Sequence, residues 1–293
     1  PTGQATKRID FVVTLKTPPT TVVKSNVIYN LDGVNVAITS DHYPLYCDFK
    51  KPTGLEEYPK AEGDLRIGNY FLTYCKGTDG VIDYDRTGRI IAKMNADIVC
   101  LQGLDKETER SEGIDQLNVL AQKANMHDYF AKAIDYKGGE FGVGILTKEE
   151  PVSVDRYQMA GKSEMRAAMV VEYEKFVVAS TNFDTDMAKR IEALQTLETK
   201  LSAYNKPAFL LGYFNEGDLE SEFFQMVKSN WNLLSADKST EVSGKKRRLD
   251  FIVSLKSHNV NVTQADVIES LSGVDVTVAS THYPLFCDFS GLK

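Results

Sequence analysis

RRLDFIVSLKSHNVNVTQADVIESLSGVDVTVASTHYPLFCDF, residues 247–289, aligns without a gap with KRIDFVVTLKTPPTTVVKSNVIYNLDGVNVAITSDHYPLYCDF, residues 7–49. Asp250 falls on Asp10, His282 on His42 and Cys287 on Cys47, each 240 positions apart, and about half of the aligned residues are identical. A match that occurs once is not a solenoid array, whose units recur every ~20–50 residues. It reads as the closing segment of one domain followed by a complete second domain. Between the copies, KKPTGLEEYPKAEGD (residues 50–64) is rich in Pro, Gly and charge and has no apolar period, which is linker composition. The expected organisation is closing strands of a preceding domain over 1–50, a linker over 51–64 and a whole domain over 65–293.

The 293 residues, 42% hydrophobic and 26% charged, suffice for a sizeable core. No apolar run approaches the ~18 residues of a membrane span, and PTGQATKRIDF lacks the apolar stretch of a signal peptide. A net charge of -7 argues against a broad nucleic-acid surface, because phosphates are gripped mainly by Lys and Arg. Cys47, Cys75, Cys100 and Cys287 lie in apolar runs with no zinc-type spacing, so buried free thiols are expected.

From residue 65 onward, strands and helices interleave. LRIGNYFLTY alternates as a strand, and residues 85–95 carry Ile90, Ile91 and Met94 at helical spacing. DIVCLQ and PAFLLGYF read as strands buried on both faces. SEGIDQLNVLAQKAN, residues 184–205 and residues 219–228 read as helices, FGVGILTK as a strand, and MRAAMVVEY with KFVVASTNF as a hairpin turning at Glu174. Several strand pairs are joined too closely for parallel crossovers. The pattern fits an α/β fold in which two mixed, mainly antiparallel sheets pack face to face with helices on the outer faces, a four-layer sandwich.

The motifs LTYC, IVCLQGL, FGVGILTK, VVASTNF, FLLGYFN, RRLDFIV and ASTHYPLF occur in this order, and the series resembles the endonuclease/exonuclease/phosphatase superfamily with its pancreatic deoxyribonuclease-like fold. The resemblance covers nearly all of residues 65–293. It implies a magnesium-dependent phosphoesterase. In that family an Asn ends the first strand, and a Glu after Leu-Gln holds the hard divalent ion through oxygen. A His in a T-H-L strand and the Asp and Asn of G-D-x-N surround the phosphate, and a final Asp-His pair activates water.

This chain departs from the plan at five of those eight positions: Cys75 for the Asn, Gly103 for the Glu, Asn182 for the His, Tyr213 for the Asp of G-D-x-N and Thr281 for the Asp of the final pair. Asn215, Asp250 and His282 are retained. Without a carboxylate at Gly103, magnesium loses its main anionic ligand, and thiol or amide groups are poor substitutes. Losing acid-base groups worth about 10²- to 10⁴-fold each would remove most acceleration. No cofactor is therefore expected in residues 65–293, although the family uses magnesium.

Rescue of a metal site would have to come from Asp105, Glu107, Asp184 or Asp186. A solvated loop is the plainer reading for the first two, and helix capping for the last two. KKRR at 245–248 reads as a solvated turn, and His127 and Trp231 as structural. The expected function is a catalytically impaired phosphoesterase-like domain with a binding or structural role in a tandem protein. The alternative is an active enzyme, with a rearranged site or with its site in an upstream domain, since the first copy keeps Asp10, Asp41 and His42 as the family writes them. Residues 7–49 expose apolar runs such as FVVTL and PLYCDF unless the rest of a first domain or another chain covers them. The resemblance to secreted bacterial members leans toward a secreted or periplasmic setting.

Overall fold

In the computed structural model, which describes residues 10–13, 21–29, 42–50 and 57–293, contacts divide the chain into one unit of residues 1–59 and another of residues 60–293. The first unit contains a hairpin of β1 (Thr21–Val27) and β2 (Leu45–Lys50), paired antiparallel.

The second unit is the sandwich. Its first half runs β3 (Leu65–Phe71), α1 (Tyr84–Lys93), β4 (Ile98–Lys106), α2 (Gln116–Ala124), β5 (His127–Tyr136), β6 (Gly139–Thr147) and β7 (Ser153–Met159). Then follow β8 (Arg166–Glu172), β9 (Val177–Asn182), α3 (Met187–Leu201), β10 (Ala208–Tyr213), α4 (Glu222–Asn230) and β11 (Trp231–Leu233). β12 (Asp250–Leu255), β13 (Asn261–Val267), α5 (Val276–Ala279) and β14 (Leu285–Ser290) close it. One sheet has the order β11-β12-β10-β9-β8-β7 and the other β13-β14-β3-β4-β6-β5. Only β3 with β4 and β9 with β10 pair in parallel. Each of these parallel pairs is joined by a crossover that holds a helix, α1 in the first and α3 in the second.

Strand periodicity explains the layers. Phe209 and Leu211 of β10 enter the core between the sheets with Met169, Val178, Ile252 and Cys287. Their neighbours Ala208 and Leu210 face outward, where Leu194 and Leu197 of α3 and Phe223 and Phe224 of α4 cover them with Val253 and Trp231. A strand apolar on both faces reads as a continuous run, which is why AFLLGY shows no alternation. Trp231 is structural: it is buried, with its indole N–H donating to Glu198 Oε2 at 3.2 Å. All four cysteines are free, with Cys47 partly buried and the other three buried. No helix among the described residues is long and apolar enough to cross a membrane.

Element ends depart from the sequence reading where the backbone turns left-handed. The strand expected to run to Tyr74 stops at Phe71, because Thr73, Tyr74 and Cys75 adopt φ of 47°, 48° and 59°. The helix expected from Ser111 begins at Gln116, since Glu112 and Gly113 have φ of 56° and 73° and Asp115 caps the helix by accepting from Asn118 N at 3.2 Å. β5 and β7 lie on half-exposed sheet edges and were not among the strands anticipated.

The last strand is locked to the first. Arg66 and Asp288 are paired across β3 and β14, with Arg66 Nε donating to Oδ1 at 2.6 Å and Nη2 to Oδ2 at 2.7 Å, both side chains 0–1% exposed. Arg66 Nη1 also donates to Met94 O at 3.0 Å. Truncating one member of such a pair strands the other charge in the core. Arg66→Ala is expected to cost about 3–5 kcal/mol in urea unfolding, and the Arg66→Met/Asp288→Leu double variant is expected to recover most of it.

Candidate functional site

β9, β10 and β12 lie side by side in one sheet, and their register places Asn182, Tyr213 and Asp250 in one row. In the facing sheet Phe71, the last residue of β3, is in register with Gln102 of β4. His282 approaches this end from just before β14. It is buried, and its Nδ1 lies 2.6 Å from Oδ2 of Asp250. The carboxylate's other oxygen, Oδ1, is buried without a partner.

Two rings pack against this pair. The Phe71 and Tyr213 centroids each lie 4.7 Å from that of His282, and 4.7 Å from each other. Such tilted and edge-on contacts are favourable ring geometry. Burial, and then the neighbouring Asp250 charge, push the Tyr213 phenol up from its ordinary value, with Arg247 pulling the other way.

The first strand of the sandwich ends at Phe71, short of Cys75. Cys75 sits in the turn beyond, fully buried, its thiol held well above the usual range by burial and then by the Asp105 charge. Gly103 occupies a β-bulge between Gln102 and Leu104, with φ of +73°. A Cβ there would stand 3.3 Å from both Phe71 Cε2 and Thr73 N.

Of the three retained residues, the structure joins two. Asn215, itself at φ 54°, donates from Nδ2 to Phe183 O at 2.7 Å and to Asn182 Oδ1 at 3.4 Å, apart from the Asp250–His282 bond. Thr281 is exposed, and its Oγ1 lies 3.0 Å from Thr73 Oγ1.

The acids considered as substitutes are committed elsewhere. Asp105 is forked by Arg110, Nε to Oδ2 at 2.5 Å and Nη2 to Oδ1 at 2.8 Å, and accepts from Thr108 Oγ1 at 3.0 Å. Glu107 is exposed. Asp184 accepts from Arg166 Nε at 3.0 Å and Asp186 N at 2.8 Å, while Asp186 caps α3 through Lys189 N at 3.2 Å. His127 is exposed and pairs only loosely with Glu150, at 4.0 Å. Within KKRR, Arg247 forks onto Glu241 at 2.7 Å and Arg248 Nη2 donates to Ser235 O at 2.5 Å. These are ion pairs and loop anchors rather than a free basic patch. In the first unit, His42 Nδ1 lies 2.7 Å from Asp10 Oδ2, both about half exposed. Asp41 lies outside the described residues.

Magnesium favours several carboxylate and water oxygens in near-octahedral array. Among the described residues no group of three or more His, Cys, Asp and Glu is placed to hold an ion. At the strand ends the donors are a carboxylate bound to His282 and amides bound to each other and to the backbone. This set does not fit the ion.

No protein-family model and no curated protein matches the sequence. Solved structures do. An endonuclease/exonuclease/phosphatase protein from Beutenbergia cavernae is 18% identical with a TM-score of 0.66, covering 79% of this chain and 73% of that one. The human Nocturnin catalytic domain, with bound sulfate, is 20% identical with a TM-score of 0.59 over 79% of this chain and 96% of that one. A mannosyl-6-phosphatase of Bacteroides thetaiotaomicron is 15% identical with a TM-score of 0.60 over 77% of this chain and 99% of that one. The chain carries the endonuclease/exonuclease/phosphatase fold.

Restoring the family's Glu by one change is expected to fail. Gly103→Glu puts a side chain on a left-handed backbone against Phe71, so it should lower stability by about 1–3 kcal/mol and create no magnesium site by calorimetry. A second expectation concerns pH. Burial raises the Asp184 carboxyl, but the Asp186 N–H and the Arg166 guanidinium outweigh it, and the group lies below its ordinary value. Its stabilisation is complete above the unfolded value, near pH ~4, and is lost as pH falls through the lower folded value. Asp184→Asn should flatten that acid limb in unfolding measured between neutral pH and pH ~2.

Proposed function

We propose that residues 60–293 use a phosphoesterase scaffold for binding or as a structural part of a tandem protein, without metal-dependent catalysis. The observation that carries this reading is the Phe71–His282–Tyr213 cluster. Aromatic carbon stands where the family's plan calls for ion and phosphate ligands, and the buried His282 is committed through Nδ1 to Asp250. Enclosed by the Phe71 and Tyr213 rings, the imidazole has little room beside it for a substrate's electrophilic centre. The loss of metal polarisation, at several kcal/mol of transition-state stabilisation, cannot be made good by the acids that remain.

Titration with magnesium or manganese is expected to show no saturable site in the micromolar range. Hydrolysis of simple aryl phosphate mono- and diesters is expected to be no faster than background. Turnover that His282→Gln abolishes would refute the proposal.

A second reading is favoured by one observation. The Asp10–His42 pair repeats the Asp250–His282 geometry at 2.7 Å against 2.6 Å, yet is 43–44% exposed where the other pair is 0–6% exposed. On this reading phosphoester hydrolysis belongs to a domain closed by residues 10–50, whose sequence keeps an Asp41 where the second copy has Thr281. Hydrolysis abolished by His42→Gln and untouched by His282→Gln would select it.

A further inference from the structure

The described hairpin of the first copy matches that of the second down to its irregularity. β1 pairs with β2 from Thr21↔Lys50 to Val27↔Leu45, with a register shift between Val22 and Lys24. β13 pairs with β14 from Asn261↔Ser290 to Val267↔Leu285, with its shift between Val262 and Gln264. Ile28 N donates to Pro44 O at 2.7 Å and Ile268 N to Pro284 O at 2.8 Å. Val27 N donates to Asn26 Oδ1 at 2.9 Å, and Val267 N to Asp266 Oδ1 at 2.8 Å.

Their surroundings are opposite. Phe251, Ile252 and Val253 are fully buried, whereas the matching Phe11, Val12 and Val13 are 65%, 46% and 85% exposed. The outer edge of β14 is paired along Leu285–Phe289 with β3. Among the described residues, β2 pairs with β1 alone. Asp288 is buried against Arg66, whereas Asp48, its counterpart, is exposed.

We propose that the β1–β2 hairpin closes a second sandwich by pairing the edge of β2 that is unpaired among the described residues with a strand of the β3 type that precedes Pro1 in the same polypeptide and carries an Arg forked onto Asp48. That Arg would stand 222 positions before Asp48, as Arg66 stands before Asp288. β3 of this chain is not available, because β14 and β4 occupy both its edges, and in a second copy the same is true. A gene duplication that copied the hairpin, its bulge and its Asp-His pair copied an element built to be covered. Burying the exposed apolar residues at ~25 cal/mol per Å² supplies the driving force, and the Arg supplies the register. The inference stands on the hairpin and does not depend on how residues 60–293 function.

The test is amide hydrogen exchange followed by mass spectrometry. In the chain beginning at Pro1, residues 45–50 should exchange on the order of 100-fold faster than residues 285–290, at any protein concentration. In the polypeptide extended to the residues encoded before Pro1, the two segments should exchange alike. There Asp48→Ala should return residues 45–50 to fast exchange and leave 285–290 unchanged. Equal, fast exchange in both proteins would overturn the proposal, as would an upstream sequence with no Arg-bearing strand at that spacing. Protection of residues 45–50 that grows with concentration of the shorter chain would also overturn it, by identifying a second copy as the cover.

Discussion

The fork of Arg66 on Asp288 ties the first strand of the sandwich to the last. It is formed between residues 222 positions apart and lies wholly inside the sheet. An ion pair so buried adds little net stability against an apolar pair of the same shape, but it punishes misalignment, because a one-residue slip would leave two charges unpaired in the core. Register in β3 and β14 therefore fixes where Phe71 and His282 stand. From there β4 follows in parallel with β3, and the facing sheet takes its position from the shared core of Ile67, Phe209, Ile252 and Phe289. The strand ends that build the candidate site inherit their positions from this closure.

At those ends, aromatic side chains pack against a buried Asp-His pair. The rings of Phe71, Tyr213 and His282, at mutual centroid distances of 4.7 Å, hold one another by dispersion and ring electrostatics. The buried Asp250 is paired through one oxygen and unsatisfied at the other, a polar group beneath an aromatic cluster. A few kilocalories of local strain or lost hydrogen bonding is tolerable in a domain whose two cores are otherwise continuous.

Much of this was legible in the sequence. The continuous runs of β4 and β10 announced strands covered on both faces, and the ordered motifs led to the sandwich that solved structures share. The substitutions at Gly103, Tyr213 and Thr281 were visible by position. The end of the first strand was misread because alternation does not mark where a strand stops: Leu72 and Tyr74 continue the apolar pattern while the backbone at Thr73 has already turned left-handed. β5 and β7 escaped notice for the usual reason of edges, whose outer sides mix polar and apolar residues and carry no clean period. The commitment of Asp105 to Arg110 depends on a contact of side chains that no spacing rule encodes.

Asp48 shows how one side chain can choose its neighbour. A bare strand edge offers hydrogen bonds to any extended chain, and natural edges carry charge to discourage this. LYCDFK is apolar apart from Asp48 and Lys50, so Asp48 makes pairing with a neutral strand costly, since its charge would be buried unmet. A strand bearing an aligned Arg removes that cost. In the proposed pairing, the carboxylate that repels chance partners is the one that admits the Arg-bearing strand, so that fidelity of assembly at this edge would rest on a single residue.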